Sequence, residues 1–184
     1  MSLKDLVWQA HKDAETQEFV KIMFSGKINP KLYAAYLRNQ HPCYEILEVC
    51  AMPHGILNGL PENICRAPQI LADYLELKVE GVEEPPLLPV VDRYVKHILS
   101  IKDDPKKLMA HIYVRHMGDL AGGQMISKRV PGSGKYYQFK DPDALKAAIR
   151  ERITDDLADE AIVCFNFAKE MFQEMMTLVE YTNE

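Results

Sequence analysis

The plainest pattern lies near the C-terminus. Leu157, Ala161, Cys164, Ala168, Met171, Met175 and Leu178 alternate at spacings of four and three. Such a stripe lies on one face of a helix and packs into a bundle, and it predicts a helix from about Leu157 onward. The methionines in it serve as core filler. The same period recurs at the other end, where Leu3, Leu6, Val7, Ala10 and Ala14 predict a helix over Ser2–Phe24. Ser2 and Asp5 give it a capping-box-like start, and Gly26 stops it. A second helix is expected from Pro30 to Ala51, with Asn29 as its cap and Pro30 at its first position. Tyr33, Tyr36, Leu37, Tyr44, Leu47 and Val49 supply its bulk, and Pro42 should kink or break it.

Between 53 and 68, Pro53, Gly55, Gly59, Pro61 and Pro68 predict a connection with little regular structure. A helix over Ala67–Glu80, a turn over Gly81–Pro86 and a helix over Pro89–Ile101 follow. Val91, Tyr94, Val95 and Ile98 form the buried side of the last. A long helix is expected over Pro105–Arg129, then a loop at Pro131–Lys135, then a helix over Asp143–Ile153. No stretch shows the alternation of a strand and no repeat is visible, so the predicted fold class is all-α in a single domain over residues 1–184.

The helix over Pro105–Arg129 breaks a rule. It contains Gly118, Gly122 and Gly123, and each glycine inside a helix costs about 1 kcal/mol relative to alanine. Gly118 and Gly122 share a face. Three explanations are open: close approach to something flat or bulky, a tight crossing of two helices, or a helix end. Asp119 sits beside the bare strip and Arg115 one turn before it.

Composition narrows the classes. Among 184 residues, a net charge of −5 gives no general preference for nucleic acid or a membrane surface. Cys43, Cys50, Cys65 and Cys164 have no metal-ligand spacing, so reduced thiols are expected. The start resembles no signal peptide and no apolar run is long enough to span a bilayer. A cytoplasmic protein is the expectation. Gly134-Lys135 does not complete a phosphate loop, because Arg129 stands where the first glycine belongs and Tyr136 follows the lysine.

One histidine stands out. His11 follows Val7 by four and so lies on or beside the buried face, and Glu15 follows it by four, within reach of the ring. A histidine in such a place is more often a satisfied core residue than a ligand. A carboxylate on one ring nitrogen shifts the balance toward metal ligation at the other.

The run Gly118-Asp119-Leu120-Ala121-Gly122-Gly123-Gln124 resembles the distal-helix signature of haem oxygenases, and Tyr113 and Arg115 upstream match it too. His11-Lys12-Asp13-Ala14-Glu15, with Glu18-Phe19, is similar to the family's proximal segment. Tyr44 falls where the family keeps a distal tyrosine. Lys146 and Arg150 resemble its propionate-binding pair, with Lys4 a further basic position. Trp8, His116–Met117 and Ala168 depart from the pattern. Ala168 stands near the place of the family's asparagine, with Asn166 close by.

The resemblance implies a helical bundle holding haem between a proximal N-terminal helix and a glycine-kinked distal helix. His11 would ligate the iron with Glu15 behind it. Tyr113, Gly118, Gly122, Gly123, Lys4, Lys146 and Arg150 would bind the macrocycle, and Asp119, Arg115 and Tyr44 would carry the proton chemistry. Haem would be both cofactor and substrate, cleaved at a meso carbon, the α edge by the family's habit, to biliverdin, carbon monoxide and ferrous iron. Oxygen and an external electron donor, such as a ferredoxin or another acidic reductase at the basic rim, would complete the reaction. A carboxylate acting through an ordered water suits this outcome better than a strong acid at the oxygen itself, which favours O–O cleavage as in peroxidases. The competing expectations are a haem carrier without turnover, a non-haem enzyme on the same scaffold, and a helical interaction module whose glycines serve only packing.

Overall fold

The computed structural model describes residues 1–78 and 83–180. Among these residues every regular element is helical. Ser2 opens the chain with a full capping box: its side chain receives the Asp5 amide while the Asp5 carboxylate takes the Ser2 amide. The predicted helix over Ser2–Phe24 is three short ones, α1 (Leu3–Leu6), α2 (Trp8–Glu15) and α3 (Glu18–Phe24). The second break has a clear cause. The Thr16 hydroxyl donates to the Lys12 carbonyl at 2.8 Å and the Gln17 side-chain amide to the Asp13 carbonyl at 2.9 Å. Side chains thus satisfy the last turn of α2, and the ladder need not continue. Gly26 follows with a φ of +74°.

The second predicted helix matches at both ends. α4 runs Pro30–Ala51, and its Asn29 cap accepts the Lys31 amide at 2.8 Å. It continues through Pro42 without a break. Proline removes one ladder bond, and burial of α4 along most of its length outweighs that loss. α5 (Ala67–Leu77) and α6 (Pro89–Ser100) follow. The end of α5 expected at Glu80 and the start of the turn at Gly81 lie outside the described residues. Asn39 holds the approach to α6, donating to the Ala35 and Pro86 carbonyls and accepting the Leu88 amide at 2.7 Å.

The long glycine-bearing helix is α7 (Pro105–Ala121), interrupted at Gly122 and followed by α8 (Gly123–Ile126). α9 (Pro142–Arg150) starts on the Asp141 cap, and α10 (Ala158–Met175) closes the bundle. α6 and α7 each pack against both α4 and α10, α2 and α3 lie on α10, and α9 lies on α7. Leu157, Ala161, Cys164, Met171, Met175 and Leu178 of the C-terminal stripe are buried in the common core, with Ala168 at its margin.

The segment after α8 is more ordered than a loop reading allows. Residues Lys135–Tyr137 form a 3-10 turn held from α5. The Asp73 carboxylate accepts the amides of Lys135 and Tyr136 at 3.0 and 2.8 Å. Arg66 donates to the carbonyls of Tyr136 and Gln138, both at 3.0 Å, and stacks on Phe139. These bonds drive Tyr136 and Tyr137 into the core, stacked on each other at 4.1 Å.

Candidate functional site

Gly118 is exposed, and a Cβ built on it meets nothing within 4 Å. One built on Gly122 meets only the Gly118 carbonyl of its own helix, at 3.7 Å. Among the described residues no second helix presses on this strip, so a tight crossing does not explain it. Nor is Gly122 a left-handed helix end: its φ is −67° and its amide still bonds the Gly118 carbonyl. What remains is a stretch of bare helical backbone open to an incoming group.

Gly123 points the other way. It is buried, and an added Cβ would stand 2.4 Å from the Tyr137 ring. It belongs with the core contact and does not widen the open strip. Overpacking of this kind costs about 1–3 kcal/mol. Gly123→Ala should therefore lower stability by that amount in urea titration, while Gly118→Ala leaves it unchanged or slightly raised, as a helix propensity gain predicts.

Directly after Gly118 the chain turns inward. Asp119 is 6% exposed, and the Tyr44 hydroxyl donates to its carboxylate at 2.8 Å. Tyr136 lies edge-on to Tyr44 at 5.5 Å and also reaches the acid. Burial pushes the Asp119 carboxyl up to about 7, against the opposing pull of His116 and of the hydrogen bond from Tyr44. The acid therefore changes protonation near neutrality. Arg115 is buried one turn back. Its Nε donates to the Tyr94 hydroxyl at 2.9 Å, and its guanidinium lies 4.1 Å from the Tyr94 ring centre and 5.4 Å from that of Tyr44. The sequence-predicted Asp119, Arg115 and Tyr44 thus meet in one cluster.

His11 lies on α2, which shares the support of α10 with α7. Its side chain is 43% exposed, stacks on Phe165 at 5.2 Å and takes Trp8 edge-on at 6.2 Å. Glu15 stands 3.2 Å from its Nε2, so the pairing expected from the spacing is present and Nδ1 lies outside it. Lys4 is exposed on α1 and Arg150 at the end of α9, while Lys146, more covered, sits 3.7 Å from Asp143. Half-buried Tyr113 has its phenol raised by burial, an effect that the nearby Arg150 charge opposes. Asn166 is exposed, and Ala168 brings no polar group.

Sequence reasoning misses three contributors. Tyr136 falls just past the loop expected at Pro131–Lys135, in a stretch between that loop and the helix expected from Asp143. Glu48 is buried in α4, where its carboxylate accepts the amides of Arg66 and Ala67 at the start of α5 and pairs with His116 at 2.8 Å. Glu48 follows Tyr44 by four and so shares its face of α4, which is the signal there. Tyr94 links Arg115 to His111, whose Nδ1 lies 2.8 Å from its hydroxyl. His111 precedes Arg115 by four, the spacing of a shared helical face.

An all-α bundle with a bare backbone strip beside a buried, neutral-range acid is a defined class of molecule. A family model described as "Heme oxygenase" matches residues 1–174. "Heme oxygenase 1" of Nostoc is 29% identical, over 91% of this chain and 81% of its own. "Heme oxygenase" of Guillardia theta is 28% identical, over 95% and 85%. Among solved structures, heme oxygenase-1 of Synechocystis in complex with heme superposes with a TM-score of 0.81 at 22% identity, covering 98% of this chain and 92% of that one. Heme oxygenase from Leptospira interrogans gives 0.79 at 26%, covering 95% and 100%. The chain belongs to the heme oxygenase family.

Proposed function

We propose that the protein is a haem oxygenase in activity as well as in family, taking haem, oxygen and external electrons to biliverdin, carbon monoxide and ferrous iron, with the α-meso edge as the point of cleavage. One observation carries the reading: the open Gly118–Gly122 strip lies next to a buried acid held near neutrality. A flat macrocycle fits that surface, because no described neighbour lies within 4 Å of a Cβ at Gly118.

His11 would hold the iron, and Glu15 would orient the imidazole once the ring has exchanged its present contact. Bound haem supplies the oxygen and redox chemistry. The chain's own residues do the rest. Gly118 and Gly122 let the backbone of α7 lie close over the ring. Gly123 acts indirectly, by seating Tyr137 and with it Tyr136. Asp119 gives and takes a proton at its carboxylate, an efficient role for an acid poised near the working pH. Tyr44 donates to that carboxylate and fixes its orientation. Arg115, anchored on Tyr94, sets the field around it. Lys4, Lys146 and Arg150 would meet the propionates, with Tyr113 beside Arg150. The same cations would dock an acidic ferredoxin or other reductase. No described helix is long and apolar enough to cross a membrane, in keeping with a cytoplasmic enzyme.

The test is one cuvette: an equivalent of hemin on the purified protein, then reductant under air. Growth of a sharp Soret band, then its decay into the broad red band of biliverdin, is the expected course. A Soret band that persists with several donors would establish a carrier instead.

A further inference from the structure

A second cluster lies outside the haem-facing groups. His97 on α6, His111 on α7 and Glu160 on α10 converge from three helices. Both imidazoles place Nε2 on the same carboxylate oxygen: His97 at 2.5 Å and His111 at 2.9 Å from Glu160 Oε1. All three ligating atoms lie within 4.8 Å of one another. We propose that His97, His111 and Glu160 form a binding site for a divalent transition-metal ion, with ferrous iron as its occupant.

The geometry is close to what an ion needs. Ligands about 2.0–2.2 Å from a metal stand about 3 Å apart, and the two imidazole–carboxylate separations are already near that value. The set is preassembled by three packed helices, so an ion has little chain to order. Two imidazoles and one carboxylate with further positions left for water is the ligand choice of non-haem iron(II). There is also a way in. His111 is wholly buried, but the His97 side chain is 25% exposed and that of Glu160 13%. The deep ligand has the outer partner that metal-bound histidines require, since its Nδ1 lies 2.8 Å from the Tyr94 hydroxyl.

That partner ties the site to the distal cluster. With the site empty, His111 places Nε2 on the Glu160 carboxylate and Nδ1 on the Tyr94 hydroxyl, which accepts from Arg115. With a metal on Nε2, the imidazole proton must sit on Nδ1 and donate to Tyr94. The Tyr94 hydroxyl then accepts from His111 and Arg115 together and turns its own proton toward Cys164, which already lies within hydrogen-bond reach. Loading therefore fixes the direction of one hydrogen bond beside Arg115. The site stands on its own geometry. Its assignment to ferrous iron rests on the proposed haem cleavage, which releases that ion.

Anaerobic titration of the metal-free, haem-free protein with Co2+, followed by its d–d absorption, tests the site directly. The expected result is saturation at one equivalent, displacement by excess Fe2+, and affinity at least about tenfold weaker in His97→Ala and Glu160→Gln. Hemin titration of the same variants should give an unaltered Soret band, which shows that they fold and separates this site from the haem site. Absence of a saturable Co2+ spectrum in the parent protein, or its persistence in both variants, would overturn the site. Failure of excess Fe2+ to displace Co2+ would overturn ferrous iron as its occupant. Lost haem turnover with Co2+ binding intact would count against the haem oxygenase activity and leave the metal site standing.

Discussion

Asp119→Asn should bind hemin with an unchanged Soret band and make biliverdin at least about 100-fold more slowly, the lower end of what removal of a positioned acid or base costs. The substitution keeps shape and keeps an acceptor for Tyr44, so the packing around α7 should survive. It also has a thermodynamic signature. The carboxyl ordinarily titrates near 3.8 and is raised by burial to about 7. Between those values the folded protein holds a proton that the unfolded chain has lost. Stability must therefore fall as pH rises from about 4 to about 7, by roughly 4 kcal/mol in all if no other group compensates. The amide in the variant does not titrate in this range. The variant should match the parent near pH 4 and exceed it in stability at pH 8, as urea titrations at the two pH values would reveal. Equal pH slopes in parent and variant would mean that Asp119 is not the neutral-range acid. Unchanged biliverdin output would remove it from the chemistry.

The second large effect is expected at His11. Its ring is partly exposed and its polar contact is a surface pair with Glu15, so His11→Ala should shift stability by no more than about 0.5 kcal/mol. Haem is where the loss should fall. The spectrum of the bound ferric form should change and turnover should vanish with it, and added imidazole should restore part of both by entering the space left. A variant with the parent spectrum would place the iron ligand elsewhere. His41 and His54 would then be the histidines to test next, since His97, His111 and His116 are engaged by Glu160 and Glu48.

The helices are legible where burial has one face and the caps are spelled out. Asn29-Pro30 marks the start of α4 to the residue, and the four-three stripe marks α10. The first helix reads as continuous because neither proline nor glycine falls between Ser2 and Phe24. Periodicity reports which face is buried, and it is silent about side chains that bond back to the last turn. At the site, Asp119, Arg115 and Tyr44 can be chosen from the sequence, and the contrast between Gly118 and Gly123 cannot. Adjacent or nearby glycines look alike in a string. One faces open space and the other faces Tyr137, a difference set by a turn that α5 holds in place. The same long-range contact hides Tyr136, and the His97–His111–Glu160 convergence requires three helices to be brought together.

That turn gives the protein a tuning screw. Asp73 and Arg66 touch neither the open strip nor His11 among their hydrogen bonds, yet they seat Tyr136 beside Asp119. The proton affinity of the acid is thus set partly by a turn that two buried charges hold from a distance. A substitution at Asp73 or Arg66 that loosens the turn would therefore shift the pH at which the acid works without touching Asp119 itself.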